Sequence, residues 1–147
     1  MKLLTCVDIW FRAEETVQLA AGWAERLGAE VDLVYVDELP SGMRYIQDPA
    51  VRDVVMRDWD RAREMHQSRL NVLMNVVPQN LRGEARYLSG EATLKIPKLA
   101  EGYDALVLST HQRKGLSRLW MGSVAERLVR ASPVPVIVVH LSDQPAS

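Results

Sequence analysis

The stretch that decides the fold runs from residue 105 to residue 139, ALVLSTHQRKGLSRLWMGSVAERLVRASPVPVIVV. It opens with a short continuous apolar run, Ala105 to Ser109, and crosses a polar loop. It then takes up a helical pattern near Gly122 or Ser123 and closes with a second apolar run, Val134 to Val139. Apolar runs without polar alternation suit strands that are covered on both faces. Between them Val124, Leu128 and Val129 recur at helical spacing up to about Ala131, and Pro133 stops the helix. A strand, a helix and a strand in succession make a crossover, and a crossover joins parallel strands.

The same alternation extends toward the N-terminus. Leu3 to Val7, Val31 to Val36 and Ala85 to Leu88 read as three more strands. Between the first two, Val17, Ala20, Ala21, Ala24 and Leu27 form one helical stripe, closed by Gly28 where a left-handed cap is expected. Asp48 followed by Pro49 reads as an N-cap and first helical residue. From there Val51, Val55, Trp59, Ala62, His66, Leu70 and Leu73 carry a long stripe toward Pro78. A third helix spans about Glu91 to Glu101 and is kept short by Pro97, with Gly102 at its end. The order βαβαβαβαβ predicts an α/β fold: a doubly wound, five-stranded, mainly parallel sheet with helices on both faces. Trp23, Trp59 and Met65 fall on helical stripes and are read as core. The long connection from Asp37 to Gln47 reads as an unstructured surface crossing, either a flap over the crevice or a simple exposed loop.

The chain has 147 residues, the size of one domain that buries roughly 70% of its unfolded surface. We divide it into a domain over 1–141 and a frayed tail over 142–147. Its 18 basic and 19 acidic side chains leave a formal charge of −1, which offers no chain-wide attraction to nucleic acid or to anionic lipid. The single cysteine, Cys6, and three histidines give no zinc-binding spacing. Asp8 cuts the opening apolar run far short of an export signal, and no run approaches the ~20 residues of a membrane span, so a cytoplasmic address is expected.

In a doubly wound sheet a ligand sits outside the carboxyl ends of the strands, where the winding direction reverses. Those ends are Asp8 and the segment after Ser109. The polar loop there holds Arg113, Lys114, Gly115 and Arg118 and leads into a helix start at Gly122 and Ser123. Free backbone N–H groups, a hydroxyl and mobile cations in one place make an anion site, and phosphate is the natural occupant. A Gly-Ser pair before a helix is also a plain N-cap, and Asp8 can simply cap the following turn. His111 lacks the partners of a catalytic base, and no Walker A pattern is present.

The segments GLSRLWMGSVAERLV and SPVPVIVV resemble the C-terminal signature of the universal stress protein family. LLTCVD, VDLVYVDE and YLSGEATLKI resemble its first, second and third strand regions. The resemblance covers nearly the whole chain and implies a doubly wound, adenine-nucleotide α-hydrolase-like domain that pairs as a homodimer through its last strand. One branch of the family binds ATP with a pattern of Gly, two residues, Gly, nine residues, Gly and Ser or Thr. Here Gly122 and Ser123 match its end, Ser109 and Gln112 stand where its first two glycines belong, and Trp10 stands where the family has a serine. Asp8 and Val36 match the residues that line adenine and ribose in that branch.

The resemblance therefore implies a nucleotide site made of Asp8, Val36, Ser109, Thr110, His111, Gln112, Arg113, Gly122, Ser123 and Val124. The implied ligand is ATP or a related adenine nucleotide, with Mg²⁺ left open, and the implied role is a stress-response regulatory dimer with a protein partner. Two alternatives stand beside it: a nucleotide-free interaction protein of the same family, and an ATP-hydrolysing enzyme.

Overall fold

The computed structural model describes residues 1–38, 41–111 and 122–141. Among them are five strands in one parallel sheet of order β3-β2-β1-β4-β5. β1 is Lys2–Cys6, β2 Glu30–Asp37, β3 Arg82–Ser89, β4 Ala105–His111 and β5 Val136–Leu141. The helices are α1 (Ala13–Leu27), α2 (Pro49–Leu73), α3 (Ala92–Ala100) and α4 (Ser123–Ala131). The expected α/β architecture is the observed one.

Strand alternation sorts the apolar side chains into two cores. Leu3, Val31, Leu33 and Val107 point to the face covered by α1 and the end of α2, where Val17, Ala20, Leu70 and Leu73 meet them. Leu4, Val34, Leu106 and Leu108 point the other way, against Ile96 and Ala100 of α3 and Leu128 of α4. Each fully buried aliphatic side chain contributes about 1.5–3 kcal/mol of transfer free energy, so covering both faces is what holds the sheet.

Several helix ends follow the sequence signals. Gly28 closes α1 in the left-handed conformation, φ 65°, and Asp48 caps α2 by accepting the Ala50 N–H at 2.9 Å. Pro97 sits inside the nine-residue α3. The edges of the strands differ from the sequence reading. β4 continues through Thr110 and His111, which pair with His140 and Leu141 of β5, so both residues belong to the sheet and not to the polar loop. β5 starts two residues late because Pro135 has no N–H to give the ladder, although its carbonyl accepts from Leu106 at 2.9 Å.

Three further expectations are corrected. Trp23 and Met65 are 40% and 56% exposed, and Trp59 is half-buried, so they are not the core residues their spacing suggested. In α2 only Leu70 and Leu73 of the expected stripe are buried. Twenty-five residues at about 1.5 Å each outrun an eight-residue strand of about 26 Å, so the N-terminal part of α2 extends past the apolar sheet. The crossing after Asp37 is not unstructured throughout, because Ser41–Tyr45 forms a 3-10 turn.

One polar cluster is built into the core. Asp32 of β2, 1% exposed, accepts the Glu84 N–H at 2.8 Å and the hydroxyl of Tyr103. Arg86 donates to Tyr103 at 2.8 Å. Burial first, then the Asp32 acceptor, pushes the Tyr103 hydroxyl up to about 12. Gly83 makes this arrangement fit, since a Cβ there would lie 1.9 Å from Asp32 Oδ1 and 2.9 Å from the Val31 carbonyl. Gly83→Ala is expected to lower stability by about 1–3 kcal/mol, comparable to the about 2–5 kcal/mol of the cavity mutant Leu106→Ala. Urea denaturation checks both, and an unchanged midpoint for Gly83→Ala contradicts the steric account.

Candidate functional site

Because β1 lies between β2 and β4, the connection leaving β1 goes to one side of the sheet and the one entering β4 crosses to the other. The chain ends that diverge at their carboxyl edges leave a crevice, the usual ligand position in such sheets. A cleft of about 490 Å³ occupies it. Val34, Val36, Leu108, Ile96 and Leu128 make its apolar floor.

The two ends of the cleft have opposite electrostatic character. Asp8, just past β1, and Glu38, just past β2, line one end. Asp8 Oδ1 accepts the Trp10 N–H at 3.0 Å, so the carboxylate caps its own turn and keeps its second oxygen for other partners. Tyr35 lies beside them. Burial raises its hydroxyl, and the charges of Asp37, Asp8 and Glu38 raise it further against a lowering hydrogen bond from Trp10.

At the other end Gly122, Val124 and Ala125 of α4 line the cleft. Glu126 donates the first helical bond, to the Gly122 carbonyl at 3.0 Å. The N–H groups of Ser123, Val124 and Ala125 precede it, so they carry the positive end of the helix dipole. Phe11, in the turn after β1, and His111, at the end of β4, both line the cleft and pack ring against ring, with centroids 4.8 Å apart.

Of the site residues expected from sequence, Asp8, Val36, Ser109, Thr110, His111, Gly122 and Val124 line this one cleft. Ser123 is exposed as the first residue of α4 and is not part of the lining. Gln112 and Arg113 lie outside the described residues, as do Lys114, Gly115, Arg118 and Trp120. Ser109 is a paired, extended strand residue opposite Val139, so a glycine is not needed there for backbone freedom. Trp10 is 62% exposed and turns its ring to His66, leaving Phe11 to line the cleft. Sequence reasoning missed Phe11, Glu38 and Cys6. The position of Glu38 directly after the second strand was the one available signal for it.

Among the described residues no group of His, Cys, Asp and Glu is placed to hold a metal ion, and no helix is long and apolar enough to cross a membrane. The cleft thus offers hydrogen-bond acceptors at one end, a helix N-terminus at the other and an apolar floor between.

A model of the universal stress protein family matches residues 1–140. The chain belongs to the universal stress protein family. No curated protein matches it significantly. Solved structures show the shared fold. The hypothetical protein MJ0577 is 21% identical with a TM-score of 0.73, over 97% of each chain. A universal stress protein in complex with cAMP is 16% identical with a TM-score of 0.61, over 95% of this chain and 96% of that one. The universal stress protein of Archaeoglobus fulgidus in complex with dAMP is 22% identical with a TM-score of 0.58, over 94% and 96%.

Cys6 on the cleft wall is the family member's single thiol, and burial pushes it well above its usual range. It is protonated at neutral pH and poorly nucleophilic. Reaction with a disulfide reagent at pH 7.5 is expected to be slow in the folded protein and fast in urea. Equal rates in the two states contradict its half-buried place in the cleft wall.

Proposed function

We propose that the protein binds an adenine nucleotide in the cleft between β1 and β4 and acts as a regulatory module, pairing as a homodimer. The observation that carries the reading is the polarity of the cleft. Its acidic end, Asp8 and Glu38, suits the hydroxyl and amino donors of a nucleoside, and its apolar floor suits a base. Its α4 end suits a phosphate, since oriented N–H groups and the helix dipole both favour an anion. A volume of about 490 Å³ falls in the range of about 300–1,000 Å³ usual for small-molecule sites. The cAMP and dAMP complexes of its structural relatives support an adenine mononucleotide as the minimum ligand, with ATP as an extended form.

In this reading Asp8 and Val36 meet the nucleoside, and Ser109, Thr110 and His111 form the strand end beside the phosphate, while Gln112 and Arg113, outside the described residues, are assigned to the site by the sequence pattern alone. The N–H groups that follow Gly122, those of Ser123 and Val124 among them, hold its oxygens. The homodimer forms through β5, an edge strand whose Val138 is 45% exposed and whose ladder groups on one side have no neighbour within the sheet. A second reading, a nucleotide-free interaction protein, draws on Ser109, a cleft-lining residue that stands where the ATP-binding branch has a glycine.

Calorimetric titration of nucleotide-stripped protein with AMP, cAMP and ATP separates the two. We expect binding, weakened by about 1.5–3 kcal/mol in Asp8→Ala, the cost of losing a hydrogen bond to a charged group. Gly122→Val is expected to block the anion end while leaving the fold intact, because a Cβ at this position meets nothing within 4 Å. No detectable binding by the wild type supports the interaction protein instead. Light scattering at micromolar concentration tests the pairing, for which a monomeric mass is the contrary result.

A further inference from the structure

We propose that His66, on the face of the sheet away from the cleft, is a positioning residue that holds Asp8 toward the ligand by fixing Trp10. The inference rests on the nucleotide-binding reading for its consequence but on separate contacts for its geometry.

The turn Asp8–Arg12 is locally unfavourable. It leads into α1 through Arg12 at φ 46°, a left-handed conformation that side-chain-bearing residues rarely adopt. Such a conformation persists only where surrounding contacts over-determine it. Two contacts from α2 meet this turn. Arg69 Nε donates to the Ile9 carbonyl at 2.7 Å, and the Trp10 ring packs edge-on against the His66 ring, with centroids 5.1 Å apart and planes at 85°. His66 and Arg69 are three residues apart and so share one face of the helix.

His66 is itself tightly held. Its side chain is 12% exposed, and its Nδ1 lies 2.9 Å from Oδ2 of Asp37, whose side chain is 9% exposed. Tyr87 donates its hydroxyl to the same carboxylate oxygen. The Tyr35 ring meets His66 edge-on at 5.9 Å, and Tyr35 also lines the cleft. The imidazole therefore sits between the end of β2 and the ring of Trp10. The main-chain N–H of Trp10 in turn donates to Asp8 Oδ1, so the turn that carries the indole also sets the direction of the Asp8 carboxylate.

Two variants separate positioning from stability. His66→Ala removes the ring and the partner of Asp37. His66→Asn keeps an amide donor near the Nδ1 position and removes the ring surface that meets Trp10 and Tyr35. We expect His66→Asn to unfold in urea near the wild-type midpoint yet to bind AMP at least about fivefold more weakly, a coupling in the usual range for residues of one network. In an Asp8→Ala background the effect of His66→Ala on AMP affinity is expected to vanish, because His66 acts through Asp8. Additive effects, or wild-type AMP affinity in His66→Asn, overturn the proposal.

Amide hydrogen exchange of Trp10 without nucleotide supplies a readout that does not require binding. Exchange is expected to be at least about tenfold faster in both His66 variants, since the Trp10 N–H loses its fixed acceptor. If wild-type protein binds no AMP, the nucleotide reading fails. The exchange result then decides the clamp alone: faster exchange upholds it and an unchanged rate overturns it.

Discussion

The parallel pairing of β1 on both sides, with β2 in one direction and β4 in the other, is the constraint on which the molecule depends. Parallel strands require crossovers, and crossovers require helices that pack back on the sheet. Their direction reverses at β1, so the chain leaves the carboxyl ends of β1 and β4 toward opposite faces. The crevice is a consequence of that reversal and not of any residue chosen for binding. Register then decides which side chains reach it. Cys6 pairs with Val34, which brings the residues just past them, Asp8 and Val36, to the same edge. Thr110 and His111 arrive there because β4 is held in its ladder by His140 and Leu141.

Much of this was legible in the sequence because the signals were local. Gly28 needed a left-handed backbone, Asp48 and Pro49 formed a cap, and unbroken apolar runs marked strands with both faces covered. The misreadings concern what a helix meets at a distance. Trp23 and Met65 share the spacing of core residues, but spacing gives a direction on a helix and not what lies in that direction. The overhang of α2 depends on how long the neighbouring strands are, which no window of α2 contains. The extension of β4 through His111 depends likewise on its partner strand.

The site divides along the same line. Asp8 and Gly122 stood out because they sit at a strand end and a helix start, positions whose chemistry is set by backbone, and Val36 was assigned through the family resemblance. Glu38, Phe11 and Cys6 enter the cleft through topology. The Trp10–His66–Asp37 chain was invisible because its members lie on three separate elements, and each alone reads as a packed or exposed residue. The structure joins them on the face opposite the cleft. There the end of α2 meets the turn that carries Asp8, so the two faces of the sheet are mechanically connected at β1.

Whether the crevice at the β1–β4 reversal takes up an adenine nucleotide is decided by an amide chemical-shift titration of the nucleotide-stripped protein with AMP. We expect perturbations gathered at Asp8, Val36, Thr110 and His111 and at the α4 start from Gly122 to Ala125, with the carboxyl-terminal half of α1 and the amino-terminal half of α2 little changed. Saturating AMP with no shifts, or shifts gathered away from that edge, would contradict it.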